Sequence, residues 1–185
     1  MVTSWLIGVA ILILIAIFFF IYYNKFIRLN NQIDNSLAQI DVQLKKRADL
    51  VPNLLESVKG YMKHEKTVIT EVTNARKVLV GAKDVVGKVK AGNALQTALG
   101  HLFAIAENYP NLKANENFLQ LQNELSAIED KVAYARQYYN DAILSLNTSV
   151  TTLPGKWFAS IYGFGKREYL QIPAESRAVP KVSFE

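Results

Sequence analysis

The first pattern along the chain is an unbroken apolar run near its N-terminus. Residues Trp5 to Tyr23 carry no charged side chain, and a helix of that length spans roughly 28 Å, close to the hydrocarbon thickness of a bilayer. Trp5 lies at one end of the run and Tyr22 and Tyr23 at the other, where interfacial aromatic belts occur. The run therefore predicts a transmembrane helix over residues 5–23.

A cleaved signal peptide and a buried core helix are the two alternatives for this run. A signal peptide has a basic segment before its apolar core and small residues at its cleavage site. Residues 1–4 have no basic side chain, and residues 18–23 are bulky throughout. A core helix rarely has so long a run without a charge. We therefore expect a retained anchor preceded by a short extracytoplasmic tail, residues 1–4.

Basic residues set the expected orientation of the anchor. Lys25 and Arg28 directly follow the run, and no lysine or arginine precedes it. Because cytoplasmic flanks of transmembrane helices are enriched in lysine and arginine, we expect a single-pass protein of the cell (inner) membrane. Its N-terminus would lie outside and its C-terminal domain in the cytoplasm. The predicted membrane-interface residues are Trp5, Tyr22, Tyr23, Lys25 and Arg28.

After the run, apolar residues recur at alternating spacings of three and four, which is the period of an amphipathic helix. Four such stripes follow one another, and they begin at Ile33, Val68, Leu95 and Phe118. Each stripe has to bury one face against neighbours, and the connections between stripes are short. The pattern predicts an all-α fold, with an antiparallel up-and-down four-helix bundle over residues 24–154.

Turn-forming residues predict where these helices end. The polar stretch 59–66 separates the first two stripes, and the glycines and lysines of 87–93 form a weaker second break. A proline biases the residue before it away from the α conformation, and asparagine is a preferred N-cap. The remaining predicted boundaries are Tyr109-Pro110, a cap at Asn115 or Asn117, and Pro154-Gly155.

The anchor is expected to continue directly into the bundle. Residues 24–31 contain neither glycine nor proline, so the transmembrane helix would run without a hinge into the first stripe and hold the bundle off the membrane. Pro52 lies inside this long helix. Because proline has no N–H, it leaves the carbonyl of Ala48 without its helical partner, and we expect a kink near Ala48.

The last residues, 155–185, differ from the stripes and predict a C-terminal extended segment that forms an aromatic-rich strap. Disordered segments are poor in aromatic residues, so we expect this segment to pack on something. Three interpretations are open: a strap along the bundle, a contact with the membrane interface, or docking on a neighbouring subunit. The candidate oligomer or membrane contacts are Trp157, Phe158, Ile161, Tyr162 and Phe164.

Composition narrows the chemistry mainly by exclusion. The chain has no cysteine, so disulfides and thiolate nucleophiles are excluded. A net charge of +5 suits an anionic lipid surface without indicating nucleic-acid binding. His64 and His101 belong to no metal-binding or catalytic motif, and the glycines form no phosphate-binding loop. We expect no enzyme activity, no cofactor, no metal and no nucleic-acid partner.

One charged residue, Arg47, falls on an apolar stripe. In one interpretation its stem packs on apolar surface while the guanidinium reaches solvent. In the other it forms a structural ion pair with a carboxylate on another helix and fixes the register of the bundle.

Several segments resemble the LemA family. They are NSLAQIDVQLKKRADLVPNL at 35–54, GHLFAIAENYPNLKANENFLQLQ at 100–122, ARQYYN at 135–140 and IYGF at 161–164. The resemblance covers essentially the whole chain. It implies an N-terminal anchor, an antiparallel four-helix bundle on the cytoplasmic side and no established catalytic activity, in a family often encoded near membrane proteases.

Two functional hypotheses follow. The first is a self-assembling scaffold on the cytoplasmic membrane face that organises or remodels the bilayer, with the lipid bilayer and further copies of the chain as its partners in a homo-oligomer. The alternative is an adaptor or sensor that docks a membrane protein partner, such as a protease. The helical stalk, the aromatic tail and the missing active-site motif favour the scaffold.

Overall fold

Helical periodicity in the sequence is realised along almost the whole described chain. The computed structural model describes residues 2–170, with side chains from residue 5 onward, and every regular element in that range is a helix. The predicted all-α fold is confirmed there. The helices are α1 (Val2–Lys59), α2 (Lys66–Gly81), α3 (Val85–Ala106), α4 (Pro110–Lys113), α5 (Glu116–Thr151) and α6 (Gly155–Tyr162).

The described chain divides into two compact units. The anchor unit consists of residues 2–31 and 139–170, and the bundle unit consists of Gln32–Tyr138. The long helices α1 and α5 each contribute to both units. Residues 24–33 are helical within α1, so the predicted continuity between the apolar run and the first stripe is confirmed.

Successive helices of the bundle unit alternate in direction, as the stripes predict. The polar residues 60–65 turn the chain from α1 into α2. Across the later helix pairs, residue numbers on one helix rise as those on its partner fall, which is the signature of antiparallel neighbours. The hydrogen-bonded pairs are Glu71 with His101, Glu65 with Tyr109, Gln96 with Glu129, and Asn93 with Arg136.

The apolar stripe on α1 lies in the centre of the bundle unit. Its members are almost completely inaccessible to solvent, and burial of each such aliphatic side chain contributes about 1.5–3 kcal/mol to folding. They are Ile33, Ile40, Leu44, Val51, Leu54 and Val58.

The predicted break at residues 87–93 is wrong, because these residues lie inside α3 and the chain turns earlier, at 82–84. Asp84 caps α3, and its carboxylate accepts a hydrogen bond from the Gly87 N–H at 2.8 Å. A Cβ on Gly92 would lie 2.6 Å from a Leu44 methyl. Gly92 therefore allows α3 to approach α1 closely and does not form a turn. An aspartate just ahead of an apolar stripe is the cap signal that locates the true break.

The start of α5 is as predicted at one of the two candidate caps. The side-chain oxygen of Asn115 accepts a hydrogen bond from the Phe118 N–H at 3.1 Å, which satisfies one of the helix's free N-terminal donors. Asn117 lies inside α5 instead. The helix ends at Thr151, ahead of Pro154.

α1 continues through Pro52 because another side chain replaces the hydrogen bond that the proline removes. The Nε of Arg76 on α2 donates to the Ala48 carbonyl at 2.7 Å. This is the carbonyl that loses its helical partner when position 52 has no N–H. The proline and the arginine are therefore coupled, and together they fix where α2 crosses α1.

We predict that Arg76→Met lowers the free energy of unfolding by about 1–3 kcal/mol, since the Ala48 carbonyl is left without a partner. In a Pro52→Ala background the restored N–H at position 52 satisfies that carbonyl. The same arginine substitution should then cost about 1 kcal/mol less. Urea unfolding of the full chain in detergent micelles, followed by circular dichroism, measures both values.

Lys77→Met is the matched control, because Lys77 is the next residue and is exposed. Its effect should stay within about 0.5 kcal/mol. If Arg76→Met costs the same with and without Pro52, the proposed coupling is wrong.

Candidate membrane-interface site

The apolar start of α1 is exposed in the anchor unit. Trp5 and Phe20 are each 70% exposed, and the most apolar stretch of the helix has none of its residues buried. It is the one helix among the described residues that is long and apolar enough to cross a membrane. A continuous apolar surface of this kind is unfavourable in water and is matched by hydrocarbon.

α6 packs on the C-terminal end of this apolar segment through aromatic rings. Phe158 stacks on Tyr22 with ring centroids 4.7 Å apart and meets Phe19 edge-on at 4.9 Å. Tyr162 contacts Tyr23 at 5.2 Å, and its hydroxyl donates to the Phe19 carbonyl at 2.9 Å. Such aromatic pairs contribute about 0.5–1.5 kcal/mol each beyond the area they bury.

Two glycines allow α6 to sit where it does. A Cβ on Gly155 would lie 2.2 Å from the Ser149 carbonyl oxygen, so only glycine fits where α6 follows α5 so closely. Gly163 ends α6 with φ of 73°, the left-handed conformation that glycine adopts without a steric penalty. Directly after it, Phe164 packs on the buried Phe26 with ring centroids 5.0 Å apart.

Beyond α6, two asparagines of α5 hold the following backbone. Asn147 donates to the Arg167 carbonyl and accepts from its N–H, both at 2.9 Å. Asn140 does the same with Leu170, at 3.2 and 3.0 Å. Seven residues of helix rise about 10.5 Å and three extended residues span about 10 Å, so the two spacings match. These two asparagines are not among the residues predicted from the sequence, although two amides seven residues apart on one helix are a signal for them.

The predicted interface residues fall into two groups. Phe158, Tyr162 and Phe164 are brought together with Tyr22 and Tyr23, as described above. Four other predicted residues lie away from this ring cluster or on its outer side. These are Trp5 at the start of α1, the exposed Arg28, and Trp157 and Ile161, which are each 62% exposed on α6.

Lys25 lies beside the cluster, with its ammonium 5.7 Å from the centre of the Tyr22 ring. This is within the range of a cation–π contact.

The expectation of extended chain from residue 155 is wrong over Gly155–Tyr162, which is helical. Phe158 and Tyr162 are four apart and share one face, while Trp157 and Ile161 share another. These spacings of four residues are the period of a helix, which the aromatic composition of the tail does not indicate. The rest of the predicted strap, residues 171–185, lies outside the described residues.

Arg47, the candidate residue of the bundle unit, contradicts one of its two interpretations. Arg47 is 1% exposed, so the interpretation in which its guanidinium reaches solvent is wrong. Its Nη1 donates to the Gly92 carbonyl at 3.4 Å. Burial lowers the pKa of Arg47, while the charge of Glu129 raises it and that of Arg136 lowers it. The ion pair remains a prediction, with Glu129 as the carboxylate that acts on Arg47.

The two histidines lie apart in the structure. His64 is exposed in the turn between α1 and α2, and His101 on α3 contacts Glu71 on α2 at 3.0 Å. Within residues 2–170, no three histidine, aspartate or glutamate side chains are close enough together to hold a metal ion.

We predict that Phe158→Ala releases α6 from the anchor unit, because two ring contacts are lost. The free energy that holds α6 in place should fall by about 2 kcal/mol. An eight-residue helix does not persist alone in water, so hydrogen exchange at the α6 amides should accelerate accordingly. Hydrogen–deuterium exchange of the full chain in detergent measures this.

The neighbouring Trp157→Ala is the control for that experiment, since Trp157 faces away from α1. It should leave the exchange of the α6 amides nearly unchanged. Equal acceleration by both substitutions would contradict the assignment of Phe158 as the docking residue.

Comparison with known proteins places this architecture in a family. The model of the LemA family matches residues 36–184. Magnetosome protein MamQ 2 of Paramagnetospirillum magneticum is 24% identical over 175 residues, covering 80% of the chain and 64% of that protein. Protein LemA of Metamycoplasma hominis is 29% identical over 142 residues, covering 75% of the chain and 65% of that protein.

The chain thus spans slightly less than two thirds of the length of these relatives. The family match itself covers far more than half of the chain and includes α2 to α6 in full. With its all-helical structure and its apolar N-terminal helix, the chain belongs to the LemA family.

Proposed function

We propose that the chain is a single-pass protein of the cell (inner) membrane that acts as a self-assembling scaffold on the cytoplasmic face. The observation that carries this proposal is a groove on the bundle unit whose chemistry is complementary to a copy of itself. The exposed apolar segment of α1 would fix the chain in the bilayer. The groove would then join copies held on the same surface, which could organise or bend the bilayer.

Charge in the anchor unit supports the cytoplasmic orientation. Lys25 and Arg28 follow the apolar segment on α1, and α6 with its following residues adds Lys156, Lys166 and Arg167 to the same unit. Basic side chains concentrate on the cytoplasmic side of transmembrane helices. The folded anchor unit therefore has more basic side chains after the apolar segment than the residues that directly follow that segment in the sequence.

The outer face of α6 supports a contact with the membrane surface. Trp157 and Ile161 are exposed there, and Leu153 is exposed just before the helix begins. Lys156 precedes Trp157 on the same short helix. Tryptophan and lysine together are typical of helices that lie at the boundary between headgroups and acyl chains. Because α6 packs on the end of the apolar segment, a bilayer around that segment would place these side chains at its surface.

Orientation can be tested by cysteine labelling, because the native chain has no cysteine. We predict that Thr3→Cys reacts with a membrane-impermeant maleimide in intact cells. Asn123→Cys, at an exposed position of α5, should react only after the membrane is permeabilised. The reverse pattern would overturn the orientation, and reaction of both positions in intact cells would overturn the transmembrane assignment.

The groove lies between α1 and α5 of the bundle unit and has a volume of about 390 Å³. On α1 it is lined by Asn35, Gln39 and Gln43, which are four residues apart and so form one amide stripe. On α5 it is lined by Tyr134 and Tyr138, which are 72% and 50% exposed. Tyrosines exposed beside amides are typical of protein interfaces.

The amide stripe is suited to pairing with a second copy. Each amide carries both donors and an acceptor, so a row of amides complements the same row turned about a two-fold axis. The side-chain oxygen of Gln43 is buried and has no hydrogen-bond partner among the described residues. If the Gln43 side chain turns this oxygen toward the groove, a donor from a neighbouring copy would satisfy it, and leaving it unpaired costs about 1–3 kcal/mol.

We predict that the detergent-extracted chain is an oligomer and that Gln39→Lys dissociates it, because a two-fold interface would bring two new positive charges together. Like charges placed across an interface cost several kcal/mol. Mass photometry at matched concentrations measures the change. Asn123→Lys is the control, since it adds the same charge at an exposed amide of α5 outside the groove.

A monomeric native chain would overturn the scaffold proposal. An oligomer that persists in Gln39→Lys would place the contact elsewhere on the molecule and contradict the role of the amide stripe.

The alternative is an adaptor that docks a membrane protein partner, such as a protease. The observation that favours it is three exposed valines on the two sides of the α2–α3 turn, Val78 and Val80 on α2 and Val86 on α3. A partner that covered this turn would remove their apolar surface from water. Under this alternative the native chain would be a monomer in the same mass measurement.

A further inference from the structure

A second cavity lies inside the bundle unit, among α1, α3 and α5, with a volume of about 310 Å³. Its polar wall is formed by Arg47, Gln96 and Glu129. Its apolar wall is formed by Leu99, Phe103 and Leu125. A volume near the lower end of the range for ligand pockets, roughly 300–1,000 Å³, fits a small molecule.

The charges around this cavity do not balance. Arg47 is almost completely buried, and Arg136 is partly buried nearby, close enough for its charge to act on Arg47. Glu129 is the carboxylate whose charge acts on both guanidinium groups. Two cations therefore share one carboxylate, and the cluster carries an excess of one positive charge.

Hydrogen bonding in the cluster leaves this imbalance in place. Glu129 accepts a hydrogen bond from Gln96, and the bond from Arg47 to the Gly92 carbonyl is long, at 3.4 Å. Arg136 donates to Asn93 at 2.7 Å, while its Nε is buried and has no hydrogen-bond partner among the described residues. Burying an excess charge is unfavourable unless a counter-charge enters the same environment.

We propose that this cavity binds a small monoanion, a carboxylate with a short apolar body. The Arg47 guanidinium matches a carboxylate because its planar N–H groups pair with both oxygens at once. The apolar wall would cover the body of the ligand. One negative charge neutralises the cluster, whereas a phosphate dianion would reverse its imbalance and would also meet Glu129. This site is independent of membrane insertion and of self-assembly.

The test uses 4-fluorobenzoate as the probe, with the full chain in zwitterionic nanodiscs and fluorine NMR as the readout. We expect saturable binding of the carboxylate. The uncharged 4-fluorobenzamide should bind about tenfold more weakly, because it cannot form a charge-assisted hydrogen bond. Inorganic phosphate should compete more weakly than unlabelled benzoate.

A cavity-filling variant separates this site from adventitious binding. Gly100 also lines the cavity, and a Cβ there would meet nothing within 4 Å, so Gly100→Leu can fill the space without disturbing the backbone. We expect it to abolish binding. Ala104→Leu, one turn further along α3 at an exposed position outside the lining, should bind the probe as the native chain does.

Several results would overturn the proposal. These are the absence of saturable binding at millimolar probe, equal affinity for the acid and the amide, stronger competition by phosphate, or unchanged binding by Gly100→Leu. Circular dichroism of both leucine variants confirms that any loss of binding does not arise from unfolding.

Discussion

Inside a bilayer, a helix backbone has no water with which to exchange hydrogen bonds, so a group that packs on it there must be apolar or must find a hydrogen-bond partner within the protein. The contact between α6 and the end of the apolar segment meets this constraint. Phe158 offers only a ring, and the Tyr162 hydroxyl adds a donor to the Phe19 carbonyl. In this way residues near the two ends of the chain form one unit at the place where the apolar segment ends.

In the bundle unit, two arginine side chains donate to backbone carbonyls of other helices, as the Tyr162 hydroxyl does in the anchor unit. Arg76 satisfies the Ala48 carbonyl that Pro52 leaves free, and Arg47 reaches the Gly92 carbonyl, where α3 approaches α1 closely. A guanidinium can do this because its long apolar stem packs along a helix while its planar head reaches a backbone acceptor. The cost is buried positive charge, and the cavity beside Arg47 is where that charge lies.

The wrong predictions fall at residues that have more than one structural use. Glycine commonly ends helices, so Gly87 and Gly92 predict a break, yet in α3 Gly92 provides close helix contact. The aromatic content after residue 155 favours an extended strap, whereas the four-residue spacing of Phe158 and Tyr162 is the period of a short helix. Asn140 and Asn147, seven residues apart on α5, give only a weak signal, since amides on a helix are usually solvated.

The sequence by itself determined the apolar segment, the bundle stripes and the all-helical class, because periodicity and side-chain transfer energies are local properties. It also located Pro52 and the carbonyl that it leaves free. Only the tertiary structure decided which group satisfies that carbonyl, that Arg47 is buried beside Arg136, and that α6 packs on the end of the apolar segment. Each of these contacts joins residues far apart in the sequence. The local pattern around a residue shows which face is buried, but it does not specify which distant residue that face meets.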